Sequence, residues 1–557
     1  MSSIPATERS NLLAEEGDGK DYERREPQNK EKLCKFLGIG LACFLLLSML
    51  ICAIHDEPSL PTNTATTTIT TSGKNIDGQK NNGLSTASTS DGTNHTFPSS
   101  FLFGSATSSY QVEGATHEDG RGMTIWDTFC YEGGHVLKNE SADVACDHYH
   151  RYRDDVKLMK SLNLQAYRLS IAWTRILPNG YGGNVNQAGI KFYNRLIDTL
   201  IEHNIEPWIT LYHWDLPQQL EDDVGGWLDH SGNSVVVDAF GEYARICFRE
   251  FGDRVKHWIT LNEPWTVAVH GYNDGVKAPG RSQMGATETY IAAHNQLLAH
   301  GKAASIYKHE FAREQKGKIG MSNSADFRYP LTDSKDDRDA AERAMLFQFG
   351  WFMEPVIRGD YPDVMRKRLG DRLPKFTKDQ RYQLLGSCDF FGINTYSSAL
   401  ASKPDSESVW SGYWQDMFVT TSVDPSWDKN FMGWPTVPDA TRELLLWISK
   451  RYNYPLLYIT ENGTAEDEED VKTAQQDEGR RRFFEGHLRA CAAAIEAGVH
   501  LAGYFAWSFM DNFEWEYGYQ RRFGICFVDF ETQQRTPKRS ALWYSKVIAT
   551  GGQNIAR

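Results

Sequence analysis

The 557-residue sequence is short of several chemical devices. Its 9 cysteines form no Cys-x-x-Cys pair and no Cys/His metal spacing, which argues against a zinc site or a redox dithiol. No Gly-x-Gly-x-x-Gly follows the first strand-like run, so a doubly wound nucleotide-binding sheet lacks its phosphate loop. Positive charge is scarce: 59 Lys and Arg against 73 Asp and Glu leave a formal charge of -14. Phosphate backbones are met by clustered Lys and Arg, and no basic stripe interleaved with aromatics occurs in the large C-terminal part, so a nucleic-acid partner is excluded.

Aromatic residues, by contrast, are plentiful at 12%, with 16 tryptophans. Core packing absorbs most such rings, but tryptophan-rich clefts also offer flat faces to sugars. The first 35 residues are polar and charged, and predict a disordered tail. Residues 36–54, "FLGIGLACFLLLSMLICAI", carry no charge. At roughly 1.5 Å per residue this run just spans a hydrocarbon core of roughly 30 Å. The long preceding tail, and the lack of a small-x-small site before His55, disfavour a cleaved signal peptide. Arg24, Arg25, Lys30, Lys32 and Lys35 precede the run, and Asp56 and Glu57 follow it. The positive-inside rule then predicts a single-span signal anchor with a cytosolic N-terminus, a type II topology, and the bulk of the chain lumenal or extracellular, in a vacuolar or lysosomal compartment or at the cell surface. Residues 55–95 turn to Thr, Ser, Asn and Gly and read as a Ser/Thr-rich stalk. Asn94 and Asn139 sit in N-glycosylation sequons; Asn462 does too, but at a strand end in a cleft. In the tail, Glu8 stands four residues before Leu12-Leu13, the spacing of an acidic dileucine signal read by a sorting adaptor.

Residues 96–550 form one unit with one rhythm. Eight strand-like runs begin at Phe101, Ala166, Glu206, Val255, Lys318, Cys388, Leu456 and Leu501. Helical periodicity fills the gaps, as in Phe192, Leu196, Ile197, Leu200 and Ile201, or Phe484, Leu488, Cys491, Ile495 and Val499. Strands that alternate with helices pair in parallel through right-handed crossovers, and eight of them predict an α/β fold closed into a (β/α)8 TIM barrel.

Active sites of such barrels lie at the C-terminal strand ends. The fourth and seventh runs end in carboxylates, Glu263 in "HWITLNEPW" and Glu461 in "LLYITENG". Two carboxylates facing each other at about 5 Å suit a retaining glycosidase, in which one attacks the anomeric carbon and the other handles the proton. Other strand ends offer Gln111, Arg168, His213, Trp214, Asn262, Asn394, Tyr396, Trp507, Glu514 and Trp515. Amides, imidazole and carboxylate suit paired sugar hydroxyls, and aromatic faces suit the C–H side of a ring. Arg168 and Tyr396 near Glu461 would favour its ionised form, and that charge would keep Glu263 protonated. Taken singly, Asn262 and Glu263 could close a helix N-terminus before Pro264, Trp507 and Trp515 could be core, His213 could be a satisfied interior histidine, and Arg168 a structural ion pair. The joint placement at strand ends carries the signal.

These residues also carry a resemblance. "TLNEPW", "YITENG", "SSYQVEG", "LYHWDLPQ" and "NFEWEYGY" resemble the signatures of glycoside hydrolase family 1, the β-glucosidase family, from about Phe97 to Ile548. The resemblance implies Glu263 as acid/base and Glu461 as nucleophile. It implies Gln111, His213, Trp214, Asn262, Trp507, Glu514 and Trp515 as the glycone subsite, Tyr396 as partner of the nucleophile, and Phe523 as a further pocket residue. No metal and no cofactor are implied; the substrate is a small β-glycoside. Glu514 matches the position that bonds O4 and O6 of an unphosphorylated sugar, while Arg521 and Arg522 are expected at the surface. The loop around Cys130 and Cys146 is similar to fungal members, and the two thiols could pair in a lumenal domain. The aglycone is expected against the loop from Val409 to Trp434. A membrane-tethered, non-enzymatic glycan-binding or receptor-like protein is the other class of function, and a transglycosidase would use the same residues.

Overall fold

The computed structural model describes residues 97–406, 412–553 and 555. The predicted tail, anchor, stalk, dileucine motif and Asn94 lie outside the described residues. Among the described residues no helix is long and apolar enough to cross a membrane.

All eight predicted strands form. They are β1 (Leu102–Ala106), β2 (Ala166–Ser170), β3 (Glu206–Tyr212), β4 (His257–Asn262), β5 (Lys318–Ser324), β6 (Phe390–Asn394), β7 (Leu457–Asn462) and β8 (Leu501–Trp507). Each pairs in parallel with its neighbours in chain order, and β1 pairs with β8, so the barrel closes. Helices pack outside it: α1 (His148–Ser161), α2 (Gln187–Glu202), α3 (Val235–Phe251), α4 (Gly285–Ile306), α5 (Trp351–Arg358), α6 (Pro438–Arg451), α7 (Glu478–Glu496) and α8 (Arg539–Ala549). Two periodic sets fit imperfectly. Ile201 is 41% exposed, because at about 100° per residue it stands half a turn round α2 from Phe192. Val499 is buried but lies past the end of α7.

The barrel interior has two layers. Below, Trp208, Phe390, Tyr458 and Phe505 meet with ring centroids 4.8–5.5 Å apart, and Trp208 stacks on His257 at 3.9 Å. This aromatic plug requires small neighbours: a Cβ on Gly104 would lie 2.6 Å from the Phe505 ring. Above it the interior turns polar, with Arg168, Thr210, Asn262, Ser322, Asn394, Thr460 and Glu461 all buried. Strands such as β3, β6 and β7 therefore change character along their length, from apolar filling to hydrogen-bonding groups.

A second polar cluster fastens the loops that follow β7 and β8. Lys538 is bound to Asp511 at 2.8 Å and to Glu468; Arg480 is bound to Glu468 and Asp477 at 2.6 Å each; Arg522 reaches Asp511 at 2.9 Å. Arg480 also donates to the carbonyls of Thr464 and Arg522, and Asp511 accepts the N–H of Gly524. Three cations balance three anions, all buried except Arg522, whose side chain is 15% exposed. Arg522 is thus part of an internal clamp, not the surface charge expected from sequence, because Asp511 lies buried beneath it. Cys130 and Cys146 are free and buried: the Cys130 thiol lies 3.6 Å from the Tyr110 hydroxyl, and the Cys146 thiol donates to the Asp511 carbonyl at 3.0 Å.

Breaking a buried pair strands its partner's charge. Lys538→Met should therefore lower stability by about 3–5 kcal/mol, seen as a lower denaturant midpoint at unchanged slope. A change below about 1 kcal/mol would show that water replaces the ammonium at no cost.

Candidate active site

Glu461, the penultimate residue of β7, is 3% exposed. Its Oε1 accepts from Arg168 Nη1 at 2.5 Å and its Oε2 from the Tyr396 hydroxyl at 2.7 Å. Arg168 comes from β2 across the barrel and is fully buried; it also donates to Thr210, to the Thr460 carbonyl and, at 2.6 Å, to Asn262 Oδ1.

Glu263 stands immediately after β4 with φ 46, in the left-handed region, where Pro264–Thr266 turns the chain away. Its Oε1 accepts from Asn394 Nδ2 at 2.8 Å and its Oε2 from the Thr266 hydroxyl at 2.7 Å. Asn394 Nδ2 also donates to Asn262 Oδ1 at 3.0 Å, so one amide oxygen ties together the surroundings of both carboxylates. The two glutamates are not equivalent. Burial, and then the charge of Glu461, push the Glu263 carboxyl up to about 7, against the opposing pull of Thr266, Asn394 and Lys277.

Asn262 Oδ1 accepts two donors, which turns its Nδ2 toward His213 Nε2, 3.0 Å away. That makes Nε2 the acceptor and puts the imidazole proton on Nδ1, which has no partner among the described residues. Burial and the Arg168 charge hold this ring neutral, its pKa well below the usual histidine range. Trp214 has φ 77, donates to the Asn262 carbonyl, and lies 4.5 Å from Trp515, itself at φ 53. Glu263, Trp214 and Trp515 each hold a backbone conformation that costs about 1–3 kcal/mol, the kind of strain concentrated at functional sites.

The remaining predicted residues gather at the same mouth. Gln111 Nε2 donates to Asn512 Oδ1 and the Phe513 carbonyl, both at 3.0 Å, and reaches Glu514 at 3.4 Å. Burial pushes the Glu514 carboxyl up to about 8, with Lys277 pulling it down. Trp507 stacks on His213 at 5.8 Å, and Phe523 packs edge-on to Tyr396 at 6.1 Å. Glu263, Glu461, His213, Trp507, Glu514 and Trp515 line one cavity of about 500 Å³. Gln111, Arg168 and Asn394 stand behind its wall.

Sequence reading missed several wall residues. Trp265, Thr266, Lys277, Asp326 and Arg328 also line the cavity. Lys277 binds Glu516 at 2.5 Å and lies 5.1 Å from the Trp214 ring. Lys277, not Arg521 or Arg522, is therefore the cation whose charge reaches Glu514. Arg521 packs over Phe431 and Tyr517. The outer wall is also shared among more segments than expected: Met432 and Trp434 come from the Val409–Trp434 loop, opposite Trp265 and Arg328. Within that loop, Tyr413 is buried and bonds the indole of Trp265.

A closed (β/α)8 barrel, with two buried carboxylates in one polar cavity at its strand ends, one ion-paired to Arg168 and the other pushed up to about 7, defines a glycoside-hydrolase type of site. Residues 93–553 match the model of Glycosyl hydrolase family 1, and the chain belongs to that family. It is 44% identical to Beta-glucosidase 42 of Arabidopsis thaliana over 470 residues, covering 82% of this chain and 95% of that one. Among solved structures it is similar to a rice β-glucosidase (44% identity, TM-score 0.78, 81% of this chain and 98% of that one) and to the β-glucosidase from Trichoderma harzianum (41%, 0.77, 82% and 98%).

The unequal carboxyls give a direct check. Among the glutamates that titrate near neutrality, which include Glu221 at about 7 and Glu514 at about 8, carboxyl ¹³C titration should show one midpoint near 7 that disappears in Glu263→Gln. In Glu461→Gln the neighbouring negative charge is gone, so the Glu263 midpoint should fall; a midpoint that stays or rises would refute the coupling.

Proposed function

We propose that the protein is a retaining β-glucosidase that releases terminal β-D-glucosyl residues through a covalent glycosyl-enzyme. The observation that carries this reading is the pairing of Glu461, ion-paired to Arg168, with a Glu263 that keeps its proton to about pH 7, in one cavity. Glu461 attacks the anomeric carbon as Glu263 gives its proton to the departing glycosidic oxygen, and the C–O bond breaks. Water then attacks the anomeric carbon, Glu263 takes its proton, and the bond to Glu461 breaks. The Glu461 partners Arg168 and Tyr396 hold the attacking carboxylate in place. Asn262, His213, Glu514 and Trp515 bind the sugar hydroxyls, Gln111 supports Glu514 from behind, and Trp507 supports the ring face. A mutant of a rice β-glucosidase similar to this chain is known in a covalent complex with Glc, which supports the same intermediate here. A sugar acceptor in place of water would make the same site a transglycosidase. Retention of both carboxylates speaks against the receptor-like alternative.

We further propose that residues 36–54 anchor the chain and that the barrel is lumenal or extracellular, with residues 1–35 cytosolic and available to a sorting adaptor at Glu8, Leu12 and Leu13. The sequons differ in a way that supports one glycan on the barrel. Asn139 is exposed, and while its Oδ1 accepts from Gly134 its Nδ2 is unpartnered among the described residues. Asn462 is buried, with Nδ2 donating to the Thr395 carbonyl and Oδ1 accepting from Tyr504, both at 2.5 Å.

Glu461→Ala should abolish turnover of every substrate. Glu263→Ala should still be glycosylated by substrates with good leaving groups, and azide should restore release as the β-glycosyl azide. NMR of the first sugar released by the unaltered enzyme should show the β-anomer; an α-anomer would sink the mechanism. For topology, peptide-N-glycosidase should shift the full-length membrane-bound protein, and Asn139→Gln should lose part of that shift. A barrel with no glycan at Asn139 and open to protease outside sealed vesicles would overturn the orientation.

A further inference from the structure

Glu263 has two hydrogen-bond donors, and they differ in kind. Asn394 meets it with an N–H that can only donate, and its Oδ1 already accepts from Thr460 at 2.7 Å. Thr266 meets it with a hydroxyl at 2.7 Å, a group that can donate or accept. Thr266 lies on the turn that leaves Glu263, is 5% exposed, and its hydroxyl has no second partner among the described residues.

We propose that Thr266 is the positioning residue of the acid/base, its rotatable hydroxyl holding Glu263 in one orientation whether the carboxyl carries its proton or has given it up. The inference rests on the acid/base role proposed for Glu263 and adds to it. In one half of the cycle that carboxyl must donate a proton, and in the other it must accept one. A buried site built of fixed N–H donors favours the anion throughout. A hydroxyl instead donates to the carboxylate and turns to accept from the carboxylic acid, so the side chain need not move as its charge changes. Glu461 on β7, Glu514, Lys277 and Tyr396 also face Glu263, and Arg168 and His213 act on it through Asn262. Of these, the hydroxyl of Tyr396 is already given to Glu461. Thr266 therefore supplies the one hydroxyl bonded to Glu263 among the described residues.

The test compares pH profiles for an unactivated β-glucoside in the unaltered enzyme and in Thr266→Val, Thr266→Ala and Thr266→Ser. Loss of a donor to the anion favours the acid form. Valine and alanine should therefore move the alkaline limb of kcat/KM upward by about half to one pH unit. With Glu263 less firmly held, kcat should fall about tenfold while KM changes less than about twofold. Serine, which keeps the hydroxyl, should restore both. An unmoved limb in the valine and alanine variants would overturn the proposal. So would a serine variant that behaves like valine, since the methyl packing rather than the hydroxyl would then matter. Glu263→Ala, run alongside, separates the two levels: an alkaline limb that survives there belongs to another group, and both the acid assignment and the role of Thr266 fail.

Discussion

The guanidinium of Arg168 organises the polar half of this barrel. It is fully buried, and a cation there is tolerable only with strong acceptors around it. Thr210, the Thr460 carbonyl, Glu461 and Asn262 provide them, from β3, β7 and β4. The dependence runs both ways, since Glu461 is buried as deeply and Arg168 is its countercharge. By occupying Asn262 Oδ1, Arg168 also fixes which way that amide faces, and the amide in turn fixes the tautomer of His213. One charge thus sets the orientation of a carboxylate, an amide and an imidazole on three strands.

The unlike behaviour of the two glutamates follows from what surrounds them, not from residue type. Glu461 receives a full positive charge and a phenol; Glu263 receives an amide and a hydroxyl, and faces the charge of Glu461. The same low-dielectric interior that tightens the first set of bonds penalises a second anion. Burial therefore separates two chemically identical side chains, ion-pairing one and raising the carboxyl of the other.

Much of this was legible in the sequence, and the boundary of legibility has a physical cause. Strands such as Leu457–Asn462 and Phe390–Asn394 must be apolar and β-branched or aromatic to lie inside a barrel, so their ends can be counted, and Glu461 and Asn394 are found by counting. Thr266 and Lys277 sit on turns, and Arg328 opens a three-residue strand outside the barrel, where no long period constrains the residue and only the folded path decides which side chains reach the cavity. Arg522 was misread for the same reason, because its partner Asp511 is near in sequence but its burial depends on Lys538 and Arg480, which arrive from α8 and α7. Ile201 shows the converse limit: an apolar residue at a plausible spacing can still face outward when the helix surface is wider than its buried stripe.

The left-handed backbone at Glu263 sets catalysis against folding at a single residue. The position would suit glycine, which takes φ 46 without a steric penalty and buries no carboxyl. Backbone strain and the buried carboxyl act against this side chain in the fold, and the bonds from Asn394 and Thr266 act for it. Glycine there would relieve the backbone but leave the Asn394 amide and the Thr266 hydroxyl without their acceptor, with the sugar-binding wall still standing. A single exchange at this turn thus separates a hydrolase from a sugar-binding scaffold, trading one local strain for two unmet donors.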